Sequence, residues 1–194
     1  MRLVVGISGS SGSIYGIRLL EVLQGVPDLE SHLIISSAAK RTILEETDYT
    51  VKDVEALATH VHDNRDIGAA LASGSFRTGG MVIAPCSIKT VSALANSYAD
   101  TLICRAGDVS LKEGHPLVVV VRETPLHAGH LRQLLHLAEL GAVILPPVPA
   151  FYHHPKTLED IVNHTVGRVL DRFGIPHTLT TEWTGTRLPR CQTP

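Results

Sequence analysis

The feature that most constrains the fold is the run Leu117–Val121, which is continuous, aliphatic and mostly β-branched. A short apolar run without alternation is typical of a strand that is buried on both faces of a parallel sheet. Strands of this kind occur in α/β proteins, where helices cover the sheet. The run therefore favours an α/β domain with a mainly parallel sheet.

The run ends abruptly at Arg122 and Glu123, and Pro125 then prevents the strand from continuing. In open α/β sheets, ligands bind just beyond the carboxyl ends of the strands. The sequence therefore places a cation and a carboxylate at a predicted ligand-binding edge. A surface ion pair in a loop is an interpretation of equal weight for these two residues.

The rest of the chain alternates between short apolar runs and amphipathic segments. Further strands are predicted at residues 2–7, 32–35, 81–84 and 143–145. Helices are predicted at residues 14–23, 38–46, 51–58, 91–94, 102–113, 128–140 and 158–173. Capping boxes begin at Thr50 and Thr157, and Ser37 is the predicted cap of the second helix. Residues 60–65 are predicted to form a polar connection.

Two of these helices have apolar stripes that we expect to face the core. The stripe of the sixth consists of Leu131, Leu134, Leu135 and Ala138. The stripe of the last consists of Leu158, Ile161, Val162, Val166, Val169, Leu170 and Phe173. We predict one domain over residues 1–174, followed by a C-terminal tail over residues 175–194.

Composition excludes several classes of protein. Of the 194 residues, 44% are hydrophobic and 19% are charged, and the net charge is -2, which does not suggest a nucleic-acid or membrane-surface partner. No apolar run reaches the roughly 18 residues of a membrane span. The three cysteines show no CxxC spacing, which fits a reducing cytoplasm. The mean hydropathy of +0.16 suggests apolar surface buried between subunits.

Three loops at predicted strand ends are rich in hydroxyls and small residues, namely 8–13, 36–37 and 85–90. The first has glycines at 6, 9 and 12, which is neither a GxGxxG nor a Walker A pattern. An ordinary strand–helix turn and an anion cradle are equally good interpretations of it. Within the third, Cys86 is more often a small buried residue than a nucleophile.

Cations are dispersed along the chain at Arg105, Lys112, Arg122 and Arg168. Hydroxyl-lined loops and cations together suit a ligand that carries phosphate. Arg105, Asp108 and Lys112 share one helix face, which is usually a solvated charged surface. No HExxH pattern surrounds His127, His130 and His136, so we predict surface or interface histidines and no metal site. Nucleoside triphosphates, NAD and metalloenzymes are disfavoured.

Five segments in order resemble the flavin prenyltransferases of the UbiX type, long described as aromatic-acid decarboxylase subunits. They are residues 6–12, 83–87, 105–113, 122–126 and 149–152. The resemblance covers nearly the whole chain from Arg2 to Gly174. Any one of these motifs is weak, but five of them in the right order are highly specific.

The resemblance implies a Rossmann-like flavoprotein fold with three layers, and a dodecamer with flavin sites at subunit contacts. The implied reaction joins the dimethylallyl group of dimethylallyl phosphate to N5 and then C6 of reduced FMN. The prenylated FMN is then handed to a UbiD-type decarboxylase. No metal is needed, so cationic side chains must stabilise the leaving phosphate.

The resemblance also assigns roles to residues of this chain. The implied flavin contacts are Gly9, Ser10, Ser11, Ser36, Ser87, Ile88, Lys89, Thr90, Arg105 and Arg122. The implied grip on the prenyl phosphate is Lys112, Tyr152 and Arg168, with help from Arg122. Glu46 and Glu123 match catalytic carboxylates, with Ser11 assisting proton movement. Trp183 matches a tail Trp in relatives and is a candidate lid.

The chain departs from the family pattern at Ser37, Gly107 and Gly114-His115, which affects the shape of the phosphate pocket. Two other functions stay open. One is an FMN-dependent decarboxylase acting on aromatic acids or peptidyl cysteines, which would not need the phosphate grip. The other is a non-catalytic flavin carrier subunit, which would tolerate the loss of Glu46 and Glu123.

Overall fold

The computed structural model describes residues 1–180 and 185 of the chain. The strands are β1 (Arg2–Ile7), β2 (Glu30–Ile35), β3 (His60–Asp63), β4 (Met81–Cys86), β5 (Leu117–Val121) and β6 (Val143–Ile144). The helices are α1 (Ser13–Gln24), α2 (Ser37–Glu46), α3 (Val51–Ala56), α4 (Ile88–Ala95), α5 (Leu102–Lys112), α6 (Ala128–Glu139) and α7 (Leu158–Asp171). A 3-10 turn at Ala70–Ala72 precedes β4.

The six strands form one parallel sheet in the order β3-β2-β1-β4-β5-β6. Every residue of β5 is buried, as its uninterrupted aliphatic run predicted. β1 lies between β2 and β4, so the chain winds outward from it in both directions. This reversal of strand order creates a crevice at the carboxyl ends of β1 and β4.

Helices cover both faces of the sheet and give the predicted three-layer α/β architecture. Along β1, alternate side chains point to opposite layers, as the period of a strand requires. Leu3 packs in one core with Ile17 of α1 and Leu170 of α7. Val4 packs in the other core with Ile103 of α5. No helix among the described residues combines the length and apolar character that crossing a bilayer requires.

Two local predictions were wrong. The segment His60–Asp63 is an edge strand that pairs with β2, rather than a polar connection. Its polar composition follows from its place at the sheet edge, where most of its residues are exposed. The cap of α2 is Ser36, whose side chain accepts a hydrogen bond from the Ala39 amide at 3.1 Å. β2 ends at Ile35, Ser36 is the cap, and Ser37 is the first residue of the helix.

The apolar stripes of α6 and α7 were only partly correct. In α6 the residue that is buried is Leu137, whereas Leu131 and Leu135 are 53% and 61% exposed. In α7 the stripe is buried at Val162, Val166, Val169 and Leu170, but Leu158 in the first turn is 82% exposed. The edge strand β6 has only two residues, so the sheet covers only one side of α6. The side of the helix that carries Leu131 and Leu135 is apolar and stays exposed.

Candidate functional site

A cleft of about 540 Å³ opens beyond the carboxyl ends of β1, β2, β4 and β5. It coincides with the crevice where the strand order reverses. The predicted site residues that line it are Gly9, Ser10, Ser11, Ser36, Ser87, Ile88, Lys89, Thr90, Arg122 and Glu123. Thus a single chain brings together the three hydroxyl-rich loops and the Arg-Glu pair that sequence reasoning selected.

Ser8 holds two of these loops in register. Its buried hydroxyl donates to the Pro85 carbonyl at 3.0 Å and accepts from the Ser87 amide at 2.7 Å. Because both contacts bridge the end of β1 and the end of β4, they fix the width of the cleft floor. Ser8 was not among the predicted site residues. Its position directly after the first strand is the sequence feature that could have identified it.

Two helices begin at the cleft wall, α2 behind Ser36 and α4 behind Ser87. Each serine caps its helix, since Ser36 accepts from Ala39 and Ser87 accepts from Thr90. The positive ends of both helices therefore face the cleft. These amides and hydroxyls suit a ligand with carbonyl and phosphate oxygens.

The glycine-serine loop packs closely against α2 and carries a buried hydroxyl. A Cβ on Gly9 would lie 2.3 Å from the Ala38 Cβ, so a side chain there would force the loop away from α2. The Ser10 hydroxyl is buried and has no hydrogen-bond partner among the described residues. A buried hydroxyl without a partner is costly unless a ligand satisfies it. These observations fit bound FMN.

Arg122 and Glu123 are half-buried and both line the cleft. Arg122 Nε donates to the Ser11 carbonyl at 3.4 Å, which ties the end of β5 to the first loop. Glu123 accepts from the Thr124 amide at 3.1 Å. Within the described part of the chain, neither side chain forms an ion pair. The interpretation as a surface ion pair was therefore wrong.

Glu46 lies behind the first loop rather than in the cleft lining. Its carboxylate accepts from the Gly12 amide at 2.8 Å and from the Ser13 amide at 3.3 Å. Gly12 is in the left-handed region with φ 101° and offers α1 no side-chain cap. Glu46 thus caps α1 from the end of α2. This contact explains a negative charge at a helix C-terminus, where it is otherwise unfavourable.

Three other candidates along the cleft have structural explanations. Cys86 is fully buried, and burial raises the pKa of its thiol, so it stays protonated and is not a nucleophile. Lys89 is exposed and lies 3.4 Å from Asp100. Thr90 is buried, with its hydroxyl 3.1 Å from that of Ser87.

Arg105 and Lys112 are outside the cleft lining. The Arg105 guanidinium donates to the Ala72 carbonyl at 3.1 Å and pairs with Asp108 at 2.9 Å. Lys112 is exposed and pairs with Glu113. In one chain, the cations of α5 therefore pair with nearby acidic residues, as expected of a solvated face, and Arg105 also holds the 3-10 turn at Ala72.

Tyr152 and Arg168 are also outside the cleft lining. The Tyr152 hydroxyl lies 3.1 Å from His164 Nε2, and Arg168 pairs with Asp171 at 2.8 Å on the outer face of α7. Both residues are exposed. One chain therefore does not bring the predicted phosphate grip together with the predicted flavin contacts. Trp183 lies outside the described residues.

Asn64 is a cleft residue that sequence reasoning missed. It follows β3 directly, and its side chain accepts from the Ile103 amide at 3.1 Å. Its carbonyl accepts from the Leu102 amide at 2.8 Å, so Asn64 fixes the start of α5 against the cleft. Recognising residues 60–63 as a strand would have placed Asn64 at the ligand edge.

Comparison with known proteins agrees with this geometry. A family model described as Flavoprotein matches residues 1–170. The flavin prenyltransferase UbiX of Escherichia coli strain K12 is 59% identical over 186 residues, covering 95% of this chain and 98% of that protein. The chain belongs to the UbiX flavin prenyltransferases of the flavoprotein family. The predicted resemblance is confirmed.

Two solved structures of this family superpose closely on the chain. A UbiX crystallised with FMN and dimethylallyl pyrophosphate has a TM-score of 0.93 and 45% identity, covering 96% of this chain and 98% of that one. A dodecameric FMN-dependent UbiX-like decarboxylase from Escherichia coli O157:H7 has a TM-score of 0.93 and 49% identity, covering 95% and 100%. The predicted Rossmann-like flavoprotein fold is confirmed.

Proposed function

We propose that the chain is a flavin prenyltransferase that joins the dimethylallyl group of dimethylallyl phosphate to reduced FMN. The observation that carries the proposal is 59% identity to a UbiX flavin prenyltransferase over 95% of the chain. The hydroxyl-lined cleft that ends at Arg122 and Glu123 supports it. Bound reduced FMN supplies the electron-rich ring, whose N5 and then C6 accept the prenyl carbon atoms.

The cleft residues bind and orient the flavin. Ser10 offers a buried hydroxyl that has no other hydrogen-bond partner among the described residues. The capped starts of α2 and α4 offer partial positive charge at Ser36 and Ser87 to flavin oxygens. Arg122 closes the cleft from β5 while its contact to Ser11 holds the first loop. These contacts would hold FMN before the prenyl donor arrives.

In this proposal, Glu123 is the carboxylate that accepts a proton in the cleft. It is half-buried beside Arg122, and its one hydrogen bond within the described residues comes from a backbone amide. A carboxylate here can accept the C6 proton and stabilise the developing allyl cation. Ser11, on the facing loop, assists proton movement at N5. Glu46 acts on the same loop through its contacts to Gly12 and Ser13.

The phosphate grip comes, in this proposal, from a neighbouring copy of the chain. Lys112, Tyr152 and Arg168 are exposed, and none lines the cleft of its own chain. Apolar side chains in the segment that carries Tyr152 are uncovered as well, with Phe151 72% and Val148 71% exposed. The dodecameric relative gives a precedent for burying such surface between subunits. We therefore propose a homododecamer with composite sites.

Mixing two impaired variants tests the composite site. The assay uses dimethylallyl phosphate at a concentration near the wild-type KM, where we expect Glu123→Gln and Arg168→Met each to be strongly impaired alone, and mixed oligomers of the two to recover activity. Recovery follows because some sites then combine an intact cleft with an intact grip. Oligomers made from two differently tagged copies of the same variant are the control. If mixing restores nothing although mixed oligomers form, each chain provides both halves of its own site.

The main alternative is an FMN-dependent decarboxylase, which is how the similar dodecameric protein of Escherichia coli O157:H7 is described. Such an enzyme has no need of a phosphate grip at Lys112, Tyr152 and Arg168. A non-catalytic flavin carrier is the other alternative, and it would need no carboxylate beside the flavin. The following experiment separates all three functions.

The direct test is anaerobic. The purified chain is mixed with reduced FMN and dimethylallyl phosphate without added metal, and the mass of the released flavin is measured. We expect the flavin to gain one five-carbon prenyl unit. FMN that is bound but unchanged would contradict the proposal. Carbon dioxide release from aromatic acids or peptidyl cysteines would then identify a decarboxylase, and its absence would favour a carrier.

We further propose that a UbiD-type decarboxylase receives the prenylated FMN. Prenylated flavin has no use within the cleft that makes it, so a second protein must consume it. The proposed compartment is the cytoplasm, since Cys86 and Cys104 are both free thiols. Adding the reaction mixture to an apo decarboxylase of this type should activate it, whereas FMN alone should not.

A further inference from the structure

Three histidines and a carboxylate meet on one face of the sheet edge, away from the cleft. Glu30 and His32 lie on β2, and His60 and His62 lie on β3, with His32 directly opposite His60 in the register. The His32 ring stacks against both rings of β3. Its centroid lies 4.7 Å from that of His60 and 5.3 Å from that of His62. The family assignment gives none of these residues a role.

The ligand atoms of Glu30, His32 and His60 all lie within 4.8 Å of one another. In zinc sites, bonds of about 2.0–2.1 Å place neighbouring ligand atoms roughly 3.3 Å apart. Small rotations of exposed side chains can close this difference. His60 and Glu30 are exposed and can rotate, whereas His32 is 4% exposed and is held in place.

His32 has an unused nitrogen that points into this cluster. Its Nδ1 lies 3.0 Å from His62 Nε2 and shares a hydrogen bond with it. Its Nε2 is buried and has no hydrogen-bond partner among the described residues, although the Glu30 carboxylate is 3.8 Å away. A buried imidazole nitrogen without a partner is costly, and a metal ion would satisfy it. His62 is then the outer hydrogen-bond partner that metal-binding histidines usually have.

We propose that Glu30, His32 and His60 bind a divalent transition-metal ion, with Zn²⁺ as the best match. Two imidazoles and one carboxylate form a recognised zinc donor set, which leaves a fourth position open to water. Arg2 also contacts the Glu30 carboxylate, at 3.1 Å, and stacks over Phe76 beside His32. Its positive charge repels a bound cation, so we expect the affinity of the site for Zn²⁺ to be moderate.

The ion would fasten the edge strand β3 to β2. β3 is only four residues long and pairs with the sheet on one side. His60 lies three residues before the end of β3 at the cleft, or roughly 10 Å at about 3.3 Å per residue. The site is therefore distinct from the flavin cleft, and its loss should leave prenyl transfer unchanged.

The test uses the full chain without a histidine tag, loaded with FMN and freed of metal by a chelator. Zn²⁺ is titrated by calorimetry into wild type, His60→Gln and the control His136→Gln, which alters an exposed histidine on α6. We expect wild type and His136→Gln to bind one more Zn²⁺ per chain than His60→Gln. Zn²⁺ should also raise the Tm of wild type and His136→Gln more than that of His60→Gln.

Co²⁺ provides a readout of geometry. Absorption bands typical of four-coordinate Co²⁺ should appear in wild type and be lost in His60→Gln and in Glu30→Gln. Circular dichroism verifies that both variants are folded, and Glu30→Gln repeats the test at a second exposed position. Equal Zn²⁺ stoichiometry and equal Tm shifts in wild type and His60→Gln would overturn the proposal.

Discussion

The two halves of the proposed site differ in how the chain builds them. The flavin half is a cleft assembled within one chain, where Ser8 bridges the ends of β1 and β4 and Arg122 contacts the Ser11 carbonyl. The phosphate half consists of Lys112, Tyr152 and Arg168, which lie exposed on separate elements. The carboxyl ends of the strands position the residues of the flavin half. In our proposal, the phosphate half is completed only by the surface of a neighbouring copy of the chain.

This difference suggests an order of events. A cleft that is formed before any ligand binds can hold FMN without large rearrangement, which limits the entropy lost on binding. In the proposed composite site, the exposed cations form a phosphate site only when another copy places them opposite a cleft. Flavin affinity should therefore respond to substitutions in the cleft alone, and prenyl transfer should respond to substitutions in both halves.

The largest effect is expected at the cleft carboxylate. Glu123→Gln should lower turnover by about 10²- to 10⁴-fold, the usual contribution of a positioned acid or base. FMN affinity should stay within a few-fold of wild type, since the flavin contacts remain. The measurements are the rate of prenylated flavin formation and a fluorescence titration with FMN. Glu139→Gln, an exposed change at the end of α6, is the control, and undiminished turnover in Glu123→Gln would remove Glu123 from the mechanism.

A smaller effect, confined to the prenyl donor, is expected in the other half. Arg168→Met should raise the KM for dimethylallyl phosphate by about 10- to 100-fold, because a charge-assisted hydrogen bond contributes about 1.5–3 kcal/mol. FMN affinity should not change. Arg172→Met, one turn away and also exposed, is the matched control. A loss of FMN affinity in Arg168→Met would end the division of the site into two halves.

The sequence could predict the cleft because its residues follow strands directly. Ser8, Ser36 and Arg122 each come immediately after an apolar run, and parallel strands bring such positions to one edge. Asn64 was missed for the converse reason, since the polar strand before it has no apolar run to mark it. The cap at Ser36 was missed by one residue, which is the usual uncertainty of an element boundary.

The exposed half could not be derived from pattern alone. Arg105 and Lys112 are spaced like any solvated helix face, and in one chain Arg105 does pair with Asp108. The exposure of Leu131 and Leu135 could not be predicted either. Helical spacing shows that an apolar stripe exists, but it does not show which side of the stripe the sheet covers. From the residues alone, Lys112 and Arg168 were only dispersed cations suited to a phosphate ligand. The family resemblance grouped them with Tyr152 into one phosphate grip, and their roles stay predictions.

The smallest effect is expected at Glu46, a predicted catalytic carboxylate that lies outside the cleft lining. Glu46 caps α1 through the Gly12 and Ser13 amides, so Glu46→Ala should cost about 0.5–2 kcal/mol of unfolding free energy. Glu46→Gln keeps an acceptor oxygen and loses only the charge, so its cost should be nearer 0.3–1 kcal/mol, roughly the value of a charge at a helix terminus. Chemical denaturation measures both, and Glu45→Gln, an exposed neighbour paired with Arg41, is the control.

Turnover then shows whether Glu46 does more than cap a helix. If capping is its whole role, Glu46→Gln should keep nearly full turnover, because the loop and its FMN contacts remain in place. If Glu46 also acts on the reacting groups, as its match to a family carboxylate implies, turnover should fall far more than stability while FMN affinity holds. The second outcome would mean that Glu46 reaches the flavin only in the assembled oligomer, since in one chain its carboxylate lies behind the loop that Ser11 presents to the cleft.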